Sequence, residues 1–345
     1  MKMRLFAVFF AAGAALSIPI FGREVRIEHQ RGYLSAEFIF PPYGPPTPMC
    51  HAATLVETRE GILAAWYGGS AEGAEDVGIW SARLTASGWS EPTLIAEGIT
   101  ESGRVACWNP VLFQPRQGPL LLFYKIGSSP SDWRAVLKTS TDEGFTWSEA
   151  VPLPEGVLGP IKNKPMELAD GTLLCGSSRE KNGWEVVMHL TSDLKKWRTV
   201  GPLPKPKSWQ VIQPTLLRYK DGSIHALCRS KQGFIVDSFS KDGGLTWSYM
   251  ERTKFPNPNS AIDGIDLKDG RHLLVYNADK QRRTPLVVAI GNKRGTAWKK
   301  VLRLEEAPGE YSYPAVIQTR DGLVHILYTW NRQSIKHVVI DPSRL

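Results

Sequence analysis

The chain has 345 residues, a formal net charge of +8, 42% hydrophobic and 22% charged residues, and a mean hydropathy of −0.23. That balance excludes a disordered chain and supplies enough apolar surface for a sizeable core, while 31 Gly and 25 Pro with no long Ala/Glu/Lys/Leu run speak against a helical bundle. Four cysteines are too few for a disulfide scaffold, and no C-x-x-C pair offers a zinc or redox site.

At the N-terminus Lys2 and Arg4 precede an apolar run from Leu5 to Leu16, with small residues at Ala14, Ala15 and Ser17. The run is shorter than the ~20 residues that a membrane span needs, so residues 1–22 are expected to be a secretory signal. The remainder, 23–345, is expected to form one exported catalytic domain, periplasmic or secreted, with no membrane span after cleavage. Loss of Lys2 and Arg4 leaves a net charge of +6, which favours anionic partners. Lysines and arginines are scattered rather than striped, so nucleic acid is not the expected partner; an acidic glycan is.

From residue 51 onward the chain repeats. An apolar run, a turn ending in Gly and a second apolar run recur six times, as in HAATLVETREGILAAW, QPTLLRYKDGSIHALCR and PAVIQTRDGLVHILYTW. The turn glycines are Gly61, Gly118, Gly171, Gly222, Gly270 and Gly322, at intervals of 48 to 57 residues. A near-fixed period of this size marks a repeat architecture. Each unit opens as a tight hairpin, continues into a third apolar strand such as RAVLKTS or FIVDSFS, and reaches a second motif. That motif, S-x-D-x-G-x-x-W, is complete at Ser140–Trp147 and Ser240–Trp247 and degenerate at Thr191–Trp197, Gly291–Trp298 and Ala86–Trp89. Its Asp accepts backbone N–H groups, its Gly supplies a positive φ and its Trp packs back on the strands, so it staples a turn. Six four-stranded antiparallel units around an axis make an all-β six-bladed β-propeller. The last unit, Pro314 to Val339, lacks a closing motif and is expected to take its outer strand from Glu24 to Phe40.

The S-x-D-x-G-x-x-W boxes, the six units and the leader together resemble the sialidase (neuraminidase) superfamily, in its bacterial BNR-repeat, Asp-box branch; the likeness spans Cys50 to Asp341. It implies an exo-α-sialidase, a glycoside hydrolase that removes terminal sialic acid with retention through a Tyr nucleophile and an Asp acid/base. Carried onto this chain, the resemblance places the nucleophile at Tyr313, nine residues before Gly322, and the acid/base at Asp76, with Glu72 and Glu75 nearby. Of the family's three carboxylate-binding arginines, Arg229 and Arg283 match the second and third. The first is replaced by His51, in Cys-His-Ala-Ala-Thr. Gln213 stands where the family has the Glu that draws the phenolic proton, and Gln cannot act as that base. Glu310, Glu167 and Glu180 are the candidates to act in its place, with Glu310 assigned to the catalytic set.

Lys162 and Lys164 flanking Asn163, together with Asn109 and Lys125 at matching offsets in the second unit, are expected to lend cationic and polar groups to substrate. Trp66, Tyr67, Trp108, Trp133, Trp184 and Trp209 are candidate sugar-stacking walls. Cys50 and Cys107 each precede a first strand and are expected to bridge, whereas Cys175 and Cys228 are read as buried thiols. Seven dispersed His and no EF-hand loop give no metal or cofactor site. Two other readings stay open: a hydrolase or lyase acting on a uronic-acid-capped glycan, and a non-catalytic glycan-binding propeller.

Overall fold

The computed structural model describes residues 27–42 and 46–345; the expected signal segment lies outside the described residues. Among the described residues six blade sheets form in chain order, each with four antiparallel strands apart from the first, which has a fifth, and a two-stranded hairpin, Gly98–Thr100 with Gly103–Val105, lies between the first and second. Blade 1 runs from Met49–Thr58 through Gly61–Gly69 and Gly78–Thr85 to the short outer pieces Gly88–Trp89 and Thr93–Ala96. Blades 2 to 5 have inner strands Cys107–Phe113, Met166–Glu167, Val211–Arg218 and Asp263–Asp266. Blade 6 combines Tyr311–Gln318, Val324–Trp330 and Ser334–Ile340 with Tyr33–Phe38 from the N-terminal side, so the two ends of the chain close the ring within one sheet as the sequence implies. No helix among the described residues is long and apolar enough to cross a membrane.

The apolar runs are continuous because each blade is covered on both faces. Along Leu120–Ile126, Leu120, Leu122 and Tyr124 face blade 1 while Leu121 and Phe123 face blade 3. The same period of two, repeated blade by blade, builds six apolar layers, one at each interface between neighbouring blades. This layering corrects the expected disulfide: Cys50 packs on the blade 6 side of blade 1 and Cys107 in the layer between blades 1 and 2, so a sheet separates them and both are free buried thiols. Cys175 and Cys228 are buried thiols as read.

The boxes behave as staples. Asp142 accepts Thr146 N at 2.9 Å and the Ser140 hydroxyl at 2.7 Å, and hydrogen bonds from Thr146 draw its carboxyl down to about 2. Gly144 lies at φ 89°, and a Cβ there would stand 2.6 Å from Leu63 of blade 1.

Inner strands begin at one end of the ring and run toward the turn glycines, so second strands return to the starting end and third strands end in the boxes. The boxes and turn glycines therefore share one end. The other end, here called the mouth, is formed by the starts of inner strands and the loops after second strands.

Lys125, at the mouth end of a blade 2 strand, is fully buried, with its ammonium on the Pro160 carbonyl. Burial pushes its pKa down to about 7, the nearby Cys175 opposing. Between that value and the ordinary 10.5 the unfolded chain holds a proton that the native state has released, so stability rises with pH across this window. Lys125→Met is expected to remove this residue's share of the rise, checked by urea titrations between pH 7 and 9.

Candidate functional site

Four inner strands carry a β-bulge near their mouth ends. Pairing skips from His51 to Thr54, from Ile212 to Thr215 and from Ser312 to Ala315, and blade 2 shows the same break opposite Tyr124. The bulged residues Ala52, Asn109, Gln213 and Tyr313 all have positive φ, at 54°, 29°, 54° and 55°, and the last three precede proline. Proline removes a ladder donor, and the bulge re-aims the preceding side chain toward the axis. Positive φ in a Tyr or Gln costs of order 1–3 kcal/mol, strain that clusters at functional sites.

Tyr313 is the centre of this arrangement. Its hydroxyl accepts a hydrogen bond from Arg229 Nη1 at 2.7 Å, and its ring lies 4.1 Å from that of His51. Arg229 is buried and also donates to Gln213 Oε1 at 3.0 Å and Asn259 Oδ1 at 2.9 Å. All three partners are neutral. Trp184 covers the guanidinium at 5.2 Å. Arg283 stands 5.6 Å from the Tyr313 ring and donates to Glu310 at 2.6 Å.

His51 is buried, with Nδ1 2.9 Å from the Thr329 hydroxyl and Nε2 without a hydrogen-bond partner. Burial, then the charges of Arg332, Arg283, Arg229 and Lys162, hold its pKa well below 6.5, so the ring is neutral. A neutral imidazole does not stand in for a guanidinium. Arg332, which sequence reasoning missed, brings the third guanidinium to this place. It lies in the turn after Val324–Trp330, where Asn331 and Arg332 have φ of 50° and 57°, and its carbonyl accepts the amide of Cys50 beside His51. Its Nε donates to both oxygens of Glu310, and Nη1 donates to Glu72 at 2.8 Å. Burial opposes the Arg332 charge, but Glu72 and Glu310 outweigh it and hold the group cationic. In sequence Arg332 reads as one charge in a three-residue hairpin turn, Asn331 to Gln333; the available signal is a bulky residue where such turns favour Gly.

The three candidate carboxylates separate. Burial alone would raise Glu310, but Arg283 and Arg332 outweigh it and hold the carboxyl below its usual range, and its bonds go to them and to Ser312 rather than to the phenol. Glu167 lies at the box end, paired with Arg116. Glu180, on the mouth loop of blade 3 that also carries Trp184, is largely desolvated, with one buried oxygen lacking a partner. Burial raises its carboxyl to about 7, opposed by Arg229 and Lys231.

Asp76 lies on the blade 1 mouth loop, exposed, with its carboxylate on the amide and hydroxyl of Ser70 at 2.9 and 2.8 Å. Arg104 holds the loop by the Asp76 carbonyl at 3.0 Å. Glu72 of the same loop reaches Arg332 and accepts the Tyr67 hydroxyl at 2.5 Å. Of the residues expected to act together, the structure therefore joins His51, Gln213, Arg229, Arg283, Glu310 and Tyr313, and leaves Asp76 on the rim.

The remaining polar residues are engaged within the ring. Asn109 donates to the Ile161 carbonyl, Lys162 to the Pro314 carbonyl and Asn163, and Lys164 to Asp263 at 2.8 Å. Trp66, Tyr67, Trp108 and Trp133 are buried between blades; Trp184 and Trp209 are half-buried near the mouth.

A family model described as "BNR repeat-like domain" matches residues 60–326. Among curated proteins none matches at a significant level. Solved structures with the same architecture include a protein of unknown function from Dyadobacter fermentans, at 15% identity and a TM-score of 0.74, covering 91% of this chain and 99% of that one. The NanB sialidase from Streptococcus pneumoniae matches at 13% identity and a TM-score of 0.71, over 90% of this chain and 71% of that one. The Hadza microbial sialidase Hz136 matches at 17% identity and a TM-score of 0.76, over 89% of this chain and 68% of that one. At these identities the likeness is one of fold.

Proposed function

The chain belongs to the BNR repeat-like family, and from that premise and its mouth we propose that it is a glycoside hydrolase of acidic glycans, specifically a retaining exo-α-sialidase. The observation that carries this reading is Arg229: among the described residues this buried guanidinium hydrogen-bonds to Gln213, Asn259 and Tyr313 and forms no ion pair, and it is placed against a phenol. A carboxylate-bearing sugar supplies the missing anion. Arg283 and Arg332 add two more guanidinium groups, each paired with a carboxylate of Glu310 or Glu72.

In this reading the sugar carboxylate binds Arg229, Arg283 and Arg332, which sets the anomeric carbon over the Tyr313 oxygen. A phenol suits that position because a carboxylate nucleophile would repel the substrate's own carboxylate. Tyr313 attacks as the glycosidic bond breaks, Arg229 stabilises negative charge on the phenol oxygen, and Asp76 swings from Ser70 to protonate the departing oxygen. Water then releases the sugar with its original configuration. Glu180, not Glu310, is the carboxylate suited to receive the phenolic proton, since Glu310 is held in ion pairs.

The test is release of 4-methylumbelliferone from its α-sialoside by the purified protein, with the released sugar's anomer read by proton NMR. Retention is expected; an inert protein on every sialoside offered overturns the reading. The Gln213 position favours one alternative, cleavage of a uronic-acid-capped glycan by hydrolysis or elimination, because no carboxylate bonds the Tyr313 hydroxyl. An unsaturated, ultraviolet-absorbing product from such a glycan would select it.

A further inference from the structure

Blade 3 departs from its neighbours: its inner strand is only Met166–Glu167, and the residues before it leave the sheet and enter the ring. Ile161, Lys162, Asn163 and Lys164 are tied to four other blades. Ile161 accepts from Asn109 of blade 2, Asn163 donates to Pro214 O of blade 4 at 3.1 Å, Lys164 pairs with Asp263 of blade 5, and Lys162 donates to Pro314 O of blade 6.

Two of these acceptors are the prolines that follow Gln213 and Tyr313. Where the pairing skips Gln213–Pro214 and Tyr313–Pro314, their carbonyls stand outside the ladder, buried, and a buried carbonyl requires a donor. The side chains of Asn163 and Lys162 supply it. Asp263 secures the far side of the Tyr313 bulge by accepting Val316 N at 2.9 Å.

We infer that Lys162 and Asn163 are positioning residues that fix the two proline bulges and so set the direction of the Tyr313 phenol and the Gln213 amide. For activity this rests on the glycosidase reading; for geometry it stands without it. The ammonium of Lys162 is enclosed, and the charged groups that act on it are Asp263, Lys164 and Arg229, with neutral His51 in the same cluster. Burial brings its pKa to about 7, so the hold on Pro314 is strongest below that pH.

The experiment compares wild type with Lys162→Met and Lys162→Gln, the second retaining a donor of different reach. Sialoside kinetics in Lys162→Met are expected to show kcat reduced about 10–100-fold with KM within about twofold, and loss of the falling limb of the kcat–pH profile near neutrality. Lys162→Gln is expected to recover part of kcat without that limb. Independently of turnover, nitration by tetranitromethane, followed by peptide mass spectrometry, is expected to be several-fold faster at Tyr313 in Lys162→Met and unchanged at buried Tyr311. Wild-type kcat together with wild-type nitration of Tyr313 in both variants overturns the inference. Faster nitration in a protein that cleaves no sialoside upholds the positioning role and defeats the sialidase reading instead.

Discussion

Tyr313→Phe is expected to abolish sialoside cleavage, lowering kcat by about a thousandfold or more, because it removes the hydroxyl that Arg229 bonds and that the proposed mechanism uses as nucleophile. The ring itself stays. Its tilted contact with the His51 ring, centroids 4.1 Å apart, does not involve the hydroxyl, so the melting temperature is expected to remain within a few degrees of wild type. Glu180→Gln separates attack from proton transfer. With its carboxyl near 7, Glu180 is expected to give the wild-type profile a rising limb as it loses its proton, set against the falling limb from Lys162, so that the wild-type rate peaks near neutrality. In Glu180→Gln that rising limb disappears and the maximal rate falls by about 10²–10⁴-fold, the range of general acid–base assistance. The pair is read from kcat–pH curves of purified variants. Undiminished activity in Tyr313→Phe would remove the nucleophile from the mechanism, and an unaltered profile in Glu180→Gln would return the base to another carboxylate.

How far the sequence reaches is visible in these same residues. The turn glycines, the boxes and the run of apolar pairs are local signals with a physical period, and they give six blades, their order and the closing strand. Tyr313, Arg229 and Arg283 are legible through their offsets from turn glycines, because the ring repeats and equal offsets fall at equal heights. Arg332 is not legible that way, since it comes from a hairpin turn of blade 6, whereas the offset from the turn glycine points to His51 of blade 1. The lysines failed for the opposite reason: Lys125 and Lys162 have the offsets of ligands, yet the carbonyls that claim them belong to loops and bulges whose approach depends on tertiary packing. Cysteine position along a strand likewise says nothing of which face it occupies, and facing decides whether Cys50 can meet Cys107.

Arg229→Met is expected to separate function from stability. A buried cation bonded only to neutral groups is an electrostatic cost to the fold, as desolvation is not offset by a counter-ion. Removing it while filling its volume is therefore expected to leave the melting temperature unchanged or higher, while kcat/KM on the sialoside falls by about a thousandfold, roughly 4 kcal/mol of lost transition-state stabilisation. Arg83 is the internal contrast. It is buried too, but the carboxylates of Glu143, Glu60 and Asp142 lie close enough to offset part of its desolvation, and by donating to the Thr58 hydroxyl and the Glu143 carbonyl it ties blade 1 to the box of blade 2, so the fold should lose stability when it is replaced. Lys at position 229 retains charge but has no planar fork to bond Gln213, Asn259 and Tyr313 together, so Arg229→Lys is expected to recover at most about tenfold. Calorimetry and sialoside kinetics on the same preparations read both halves. A variant that loses stability and activity in proportion would make Arg229 a structural residue and leave the mouth without its anion receptor.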